Sequence, residues 1–200
     1  MFGLKLPKPI PKYPFGEPRN ASEVRSVTTM SRHADWSKLI FEKLVDAGVT
    51  LFPYVPDFGN DDLVKFAEAD NRTVPVLLSS EQEGVALCAG ADLVGGRGVL
   101  LMQSSGAGNC PNMLSLVQGG RFPMLMIITM RGDYGEQNPW QYPMGRAVPT
   151  LLDAMGIECI RVEREDELAQ AVDAALAAAF VAERGVALIL SQKILGAKVF

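Results

Sequence analysis

Histidine is almost missing from this sequence: His33 is the one copy in 200 residues. With it go the usual routes to catalytic triads, two-His metal sites and imidazole acid–base chemistry. Cysteine is scarce as well. Cys88, Cys110 and Cys159 are odd in number and show no CxxC spacing, so neither a disulfide framework nor a thiolate metal site is expected. A reducing, cytoplasmic setting fits best. There is no excess of positive charge, because 19 Lys and Arg stand against 23 Asp and Glu. The electrostatic footprint of nucleic-acid binding is therefore absent. No segment approaches the roughly 18 uninterrupted apolar residues of a membrane span, and the amino terminus lacks the apolar core of a signal peptide. The expectation is a soluble, unexported protein with no nucleic-acid or membrane partner and no metal site of its own.

What is present is a chain of 48% hydrophobic residues, enough for one domain with a sizeable core. Residues 1–34 differ in character from the rest. Five prolines punctuate this stretch, and Lys5, Lys8, Lys12, Arg19, Arg25 and Arg32 face only Glu17 and Glu23. Prolines this dense disfavour helix and central strand and leave extended chain. Phe2, Leu4, Leu6, Ile10, Tyr13 and Phe15 are apolar groups that a purely solvated tail does not need, so the arm reads either as a tail or as a segment lying along a partner subunit.

From Asp35 to the end, helical periodicity alternates with short β-rich runs. "DWSKLIFEKLVDAG" reads as a helix closed by a glycine C-cap. "VTLFPYV", "TVPVLLSS", "GVLLMQ", "FPMLMIITM", "IECIRV" and "VALILS" read as strands, with helices between them, among them the segment from Glu81 to Gly95 and a long alanine-rich helix ending near Arg184. "TLLDAMG" supplies the helix before the fifth strand. Strands written as continuous apolar runs are buried on both faces, and their alternation with helices makes the sheet parallel. The expected fold is a three-layer αβα domain, residues 35–200, with a six-stranded, mainly parallel sheet.

In such a sheet ligands sit beyond the carboxyl ends of the strands. The segments found there are "VPDFGND" after the first strand, "SSEQE" after the second, "QSSGAGNCPN" after the third and "RGDYGEQNPWQYPMGR" after the fourth. All four are polar and three carry glycine, whereas the opposite loops are ordinary turns. Ser104 and Ser105 precede a glycine as an elbow serine does, yet G-x-S-x-G is absent. Cys110 stands near a helix start without an evident base, which favours a small buried side chain over a nucleophile. "SSGAGN" lacks the third glycine of a dinucleotide turn and the lysine of a P-loop. It serves either as a tight turn for helix–sheet packing or as a surface that a flat ring can approach.

Taken together, "EQEGVALCAGADLVGG", "MQSSGAGNCPN", "MRGDYGEQNPWQYPMGR" and "TLLDAMGI" resemble the pyrimidine-binding domain of thiamine-diphosphate-dependent 2-oxoacid decarboxylases. The likeness is greatest to the sulfopyruvate and phosphonopyruvate decarboxylases, and among these to a separate alpha subunit. In that family a glutamate after the second strand precedes by nine residues a glycine in the following helix; Glu81 and Gly90 match this spacing and Glu83 does not. The resemblance implies that Glu81 bonds N1′ of the cofactor's aminopyrimidine and favours the tautomer that removes the C2 proton. Taken without the resemblance, Glu81 reads as a helix N-terminal carboxylate after a serine cap, a stabilisation of roughly 0.3–1 kcal/mol.

The same resemblance implies lesser roles elsewhere on the rim. Asp57 serves in proton relay or substrate binding, its alternative being a helix N-cap, with Pro56 beside it. Gly106, Gly108 and Asn109 approach the pyrimidine, with Asn112 behind them. Ser104, Ser105 and Gln141 face the substrate, and Arg131 and Arg146 bind its anionic group, unless they serve as structural ion-pair partners. Complete enzymes of the class also carry a Gly-Asp-Gly motif that holds Mg2+ and the diphosphate, and no such motif occurs here. The implied protein is half an enzyme: a decarboxylase subunit, or that of a related carboligase or lyase. It acts on a small 2-oxoacid, sharing thiamine diphosphate with a diphosphate-binding beta subunit that holds Mg2+, in an α2β2 or larger hetero-oligomer. The alternative is a non-catalytic ligand-binding or regulatory subunit of the same fold.

Overall fold

The computed structural model describes residues 27–196, with side chains from Asp35 onward. Most of the arm, residues 1–26, lies outside the described residues, and so does its expected contact with a partner. The first helix, α1, runs Val27–Asp46, so it starts before the boundary expected at Asp35. In chain order there follow β1 (Leu51–Tyr54), α2 (Asp61–Ala69), β2 (Val74–Leu77), α3 (Glu81–Leu93), β3 (Val99–Gln103), α4 (Ser104–Ala107), α5 (Pro111–Gly120) and β4 (Met124–Thr129). A 3₁₀ turn at Pro139–Gln141 then leads into α6 (Tyr142–Ala154), β5 (Glu158–Val162), α7 (Glu165–Phe180), β6 (Gly185–Leu190) and α8 (Gln192–Leu195).

The six strands are all parallel, in the order β2-β1-β3-β4-β6-β5. Alternate residues of the central strands feed two cores. Val99, Leu101, Leu125, Ile127, Val186 and Leu188 pack under α1, α2 and α7. Leu100, Met102, Met126, Ile128, Ala187 and Ile189 pack under α3, α5 and α6. Burial on both faces is why these strands read as unbroken apolar runs.

Right-handed crossovers assign the helices to layers. The connection from β1 to β2 runs one way along the sheet and places α2 on the first layer; those from β2 to β3, β3 to β4 and β4 to β5 run the other way and place α3, α5 and α6 on the second. The direction reverses between β1 and β3. A crevice opens at such a switch point, because the loops after the two strands diverge to opposite faces. Pro53 deepens it. The Leu51 amide bonds toward the β3 side, to the Arg97 carbonyl, so two residues on the proline nitrogen faces β3 with no N–H to donate. Accordingly β1 pairs with β2 along its length but with β3 only at Tyr54 and an isolated bridge at Leu51.

Two segments depart from expectation. The helix expected at "TLLDAMG" starts at Tyr142, so with the 3₁₀ turn Pro139–Gln141 half of the polar loop is helical. Pro143 sits in the first turn, where no intrahelical N–H is required. The helix after β3 is broken into α4 and α5 by residues 108–110.

Candidate functional site

Glu81 is the first residue of α3, directly after Ser80 in extended conformation. The carboxylate stands at the positive end of the helix dipole and the residue is 8% exposed. Its Oε2 accepts a hydrogen bond from Asn109 Nδ2 at 2.8 Å. Gly106 backs it closely: a Cβ there would lie 2.1 Å from Glu81 Oε1. The loop after β2 and the turn after β3 are thus packed together through a carboxylate and a glycine. Glu83 turns back instead and accepts from the Ser79 amide at 3.0 Å, one residue before the helix cap Ser80, whose own hydroxyl makes no capping bond.

On the other side of the crevice, Asp57 follows β1. Its Oδ1 accepts from the Gly59 amide at 2.7 Å, the Asn60 amide at 3.1 Å and Thr129 Oγ1 at 2.9 Å, and its Oδ2 from Asn60 Nδ2 at 2.8 Å. Burial pushes this carboxyl above its ordinary value, opposed by hydrogen bonds from Asn60, Thr129 and Gly59. The side chain therefore ties the β1 loop to β4. It does not cap α2, whose cap residue is Asn60. Gly59 is needed here, since a Cβ would fall 2.6 Å from Thr129 Cβ. Outside Asp57 a cleft of about 490 Å3 is lined by Tyr54, Pro56, Phe58, Val64 and Glu68.

Ser104 is completely buried. Its hydroxyl accepts from the Arg131 amide at 3.0 Å and donates to the Arg131 carbonyl at 3.2 Å, so it joins α4 to the end of β4. A hydroxyl so placed is a structural tie and does not face a substrate. Ser105, next along, is exposed. Arg131 is likewise committed: Nε and Nη2 bond the two oxygens of Glu136 at 2.6 and 2.7 Å. Of the two expectations for Arg131, the internal ion pair is the one found. Arg146 is exposed on α6, its guanidinium 5.8 Å from the centre of the Tyr142 ring, and no ion pair to it occurs among the described residues.

The loop after β4 is organised by residues that sequence reading passed over. The Glu136 carboxylate also accepts from the Gly132 and Asn138 amides and from Gln192 Nε2. Arg131 beside it holds its carboxyl at about 2, well below the ordinary range. Gln192 Oε1 accepts from the Asp133 and Tyr134 amides, and Asp133 in turn pairs with Arg161 and accepts from Ser191. No signal in the chain marks these partners: Gln192 in α8 and Ser191 just before it lie more than fifty residues from the loop, and Arg161 lies in β5. Gly132, at φ 70°, lies against the Gln141 carbonyl, and Gly145 lies against the Arg131 carbonyl, so α6 is seated directly on the loop.

Gly108 completes the join, with a would-be Cβ 2.9 Å from Met144 Cε. Asn112 is exposed in the first turn of α5. The Cys110 thiol is fully buried against Met102 and the Gly106 carbonyl, and burial pushes it up to about 12. It is a packing residue. Among the described residues no cluster of His, Cys, Asp and Glu is suited to a metal ion, and no helix is long and apolar enough to cross a membrane.

Chemically, the rim offers, among the described residues, one buried carboxylate with a single orienting hydrogen bond, glycine-backed turns beside it, and one exposed guanidinium. Comparison with known proteins identifies relatives. Sulfopyruvate decarboxylase subunit alpha of Methanocaldococcus jannaschii is 36% identical over 132 residues, which cover 66% of this chain and 78% of that protein. The same subunit of Methanococcus maripaludis is 33% identical over 132 residues, with 79% of that protein covered. Phosphonopyruvate decarboxylase of Streptomyces viridochromogenes is 38% identical over 117 residues, 58% of this chain but 30% of that longer protein. Among solved structures, 2-oxoglutarate:ferredoxin oxidoreductase from Magnetococcus marinus matches with a TM-score of 0.59 at 14% identity, over 80% of this chain and 29% of that one. That likeness is one of fold. No family model matches the chain. With more than three quarters of the archaeal alpha subunits covered at these identities, the chain belongs to the family of sulfopyruvate decarboxylase alpha subunits and their phosphonopyruvate decarboxylase relatives.

Proposed function

We propose that this chain is the pyrimidine-binding subunit of a thiamine-diphosphate-dependent decarboxylase of small anionic 2-oxoacids such as sulfopyruvate or phosphonopyruvate. The observation that carries the reading is Glu81. Its carboxylate is buried at a helix start and oriented by Asn109, and no other hydrogen bond to it occurs among the described residues. Acceptor capacity is therefore left for a ring nitrogen.

The residues present fit the cofactor's pyrimidine half. Glu81 would hold N1′, and Gly106 and Gly108 offer no side chain to obstruct a flat ring. When bound, thiamine diphosphate supplies the carbon nucleophile that adds to the 2-oxo group and accepts the electron pair released with carbon dioxide. Glu81 holds or shares the proton at N1′ at the start of that chemistry, and Asn109 keeps the carboxylate pointed at it. Asp57 and Pro56 fix the opposite wall of the crevice. Arg146, a rim arginine with no ion pair among the described residues, meets the sulfonate, phosphonate or carboxylate, and Ser105 and Gln141 complete the substrate side of the rim. Mg2+ and the diphosphate are held by a partner chain bearing Gly-Asp-Gly, in a hetero-oligomer of the cytoplasm.

The test is co-expression with such a chain, followed by assay of carbon dioxide release over a panel of 2-oxoacids with thiamine diphosphate and Mg2+. Turnover of sulfopyruvate or phosphonopyruvate by the pair, and by neither chain alone, is the expected result. Tight Mg2+-dependent cofactor binding by this chain alone, measured by calorimetry, would contradict the half-enzyme reading.

A further inference from the structure

On the first helical layer α2 is much shorter than its neighbour α1. Each reaches the next strand through a short connection of equal length, 47–50 and 70–73, so both helices end at one level at the foot of the sheet. From there α1 runs back through 20 residues and α2 through 9, lengths of roughly 30 and 14 Å. The start of α1, Val27, therefore stands roughly 16 Å above the start of α2, at the end of the sheet that carries Asp57.

Above the short helix the sheet is left partly bare. Leu77 of β2 pairs in register with Tyr54 of β1, so the two side chains share the first-layer face. Tyr54 lines the cleft of about 490 Å3 with Pro56, Phe58 and Val64, and Leu77 next to it is 65% exposed. The lip of this apolar wall is acidic. Asp61, Lys65 and Glu68 of α2 stand on it; Lys65 is held by Asp61 and Asp62, and Glu68 has no ion pair among the described residues.

The edge of the sheet beside the cleft is a poor template for another strand. β2 is the outermost strand here, and its Val74 and Leu78 amides bond inward to the Thr50 and Tyr54 carbonyls, which turns residues 75 and 77 outward. Residue 75 is a proline, so the open edge lacks a donor there. Aromatic-lined grooves, by contrast, take proline-rich chain, whose fixed φ lowers the entropy lost on docking. The stretch Leu6–Pro14, "LPKPIPKYP", has four prolines and two lysines, in an arm (residues 1–26) that sets five basic side chains against two acidic. Residues 15–26 join it to Val27, and in extended form they span up to roughly 40 Å, ample to come down over α2.

We propose that the cleft between β1 and α2 seats this chain's own Leu6–Pro14 segment, with prolines and Ile10 against Tyr54, Phe58 and Leu77 and a lysine at Glu68. Seated there, the segment covers the outer side of the loop that carries Asp57.

The full chain, mixed in equal parts from unlabelled and heavy-nitrogen preparations, is treated with a carbodiimide that joins a lysine amine to a touching carboxylate, and the links are mapped by mass spectrometry. Links from Lys8 or Lys12 to Glu68 within one isotopic species are expected. Links between the two species overturn the proposal and give the cleft to the arm of a second copy. Tryptic cleavage after Lys12 is followed in parallel on wild type and on Leu77→Glu, Glu68→Lys and Ala174→Glu. Ala174 is exposed on α7, which packs against β5 and β6, and serves as the control. Cleavage of a docked segment tracks the population of its open form, so Leu77→Glu and Glu68→Lys should speed it about 10-fold or more and Ala174→Glu should not. Should Leu77→Glu alter the fold, Glu68→Lys decides, because that side chain is exposed on α2. Equal cleavage in wild type and both cleft variants overturns the proposal.

Discussion

Replacing Glu136 by glutamine tests whether the loop after β4 is held by a single buried charge. The Glu136 side chain has no solvent exposure and its partner Arg131 is 16% exposed. Lowering its carboxyl from 4.5 to about 2 corresponds to a stabilisation of about 3 kcal/mol at neutral pH. Removal of one member of a buried pair costs about 3–5 kcal/mol on general grounds, so the two routes agree. The folded carboxyl titrates below the unfolded one. Its contribution is therefore complete above pH 4.5 and disappears as the pH falls through about 2. By pH 3 about 1.4 kcal/mol should remain. Urea unfolding followed by circular dichroism, on wild type and Glu136→Gln at pH 7 and pH 3, measures both quantities. A difference below about 1 kcal/mol at pH 7 would refute the buried-charge argument. So would a difference that does not shrink at pH 3. Because Gly132 and Gly145 seat α6 on this loop, the variant should also disturb the placement of Gln141 and Arg146.

Under the proposed function Glu81→Gln is expected to slow C2 proton exchange of thiamine diphosphate by about 100-fold or more while binding persists, whereas Glu83→Gln, which touches only the bond to the Ser79 amide, is mild; equal effects in quenched-flow NMR would remove the assignment of Glu81. Gly106→Ala brings a methyl group 2.1 Å from Glu81 Oε1, so the carboxylate must swing away. The chain should stay folded, at a cost of about 1–3 kcal/mol, yet lose exchange activity as Glu81→Gln does; full activity of Gly106→Ala would show that the contact does not position the acid. Cys110 and Cys88 are buried, with both thiols pushed up to about 12. Iodoacetamide at pH 8 should leave both unmodified until the protein unfolds, a result read by mass spectrometry; native labelling of Cys110 would mean that its pocket opens.

Much of the fold was legible in the chain because burial on both faces leaves a mark that needs no partner to read. "VLLM", "MLMII" and "VALIL" are unbroken apolar runs, and each became a central strand. The contrast of Glu81 with Glu83 was legible only through the resemblance, whose spacing from Glu81 to Gly90 sets the two apart; local pattern marked no more than a carboxylate at a helix start. What local pattern concealed was the use of prolines. Pro143 in the first turn of α6 made a helix look like a loop, and Pro53 in a central strand opens the ladder toward β3.

The tertiary structure alone decided which rim groups are free. Ser104, Asp57 and Arg131 look in sequence as available as Ser105 and Arg146. Their commitments to the Arg131 backbone, to Thr129 and Asn60, and to Glu136 and its network with Gln192 arise from chain segments brought together by the parallel crossovers. A hydrogen bond across 72 residues, as between Asp57 and Thr129, has no local signature. The sequence by itself determined the layers and the sheet, because these follow from periodicity, and it placed a carboxylate at the start of α3. The packing of distant segments determined which polar groups have bonds to spare, because satisfaction of a buried donor or acceptor depends on whatever lies within 3 Å of it and not on its neighbours along the chain.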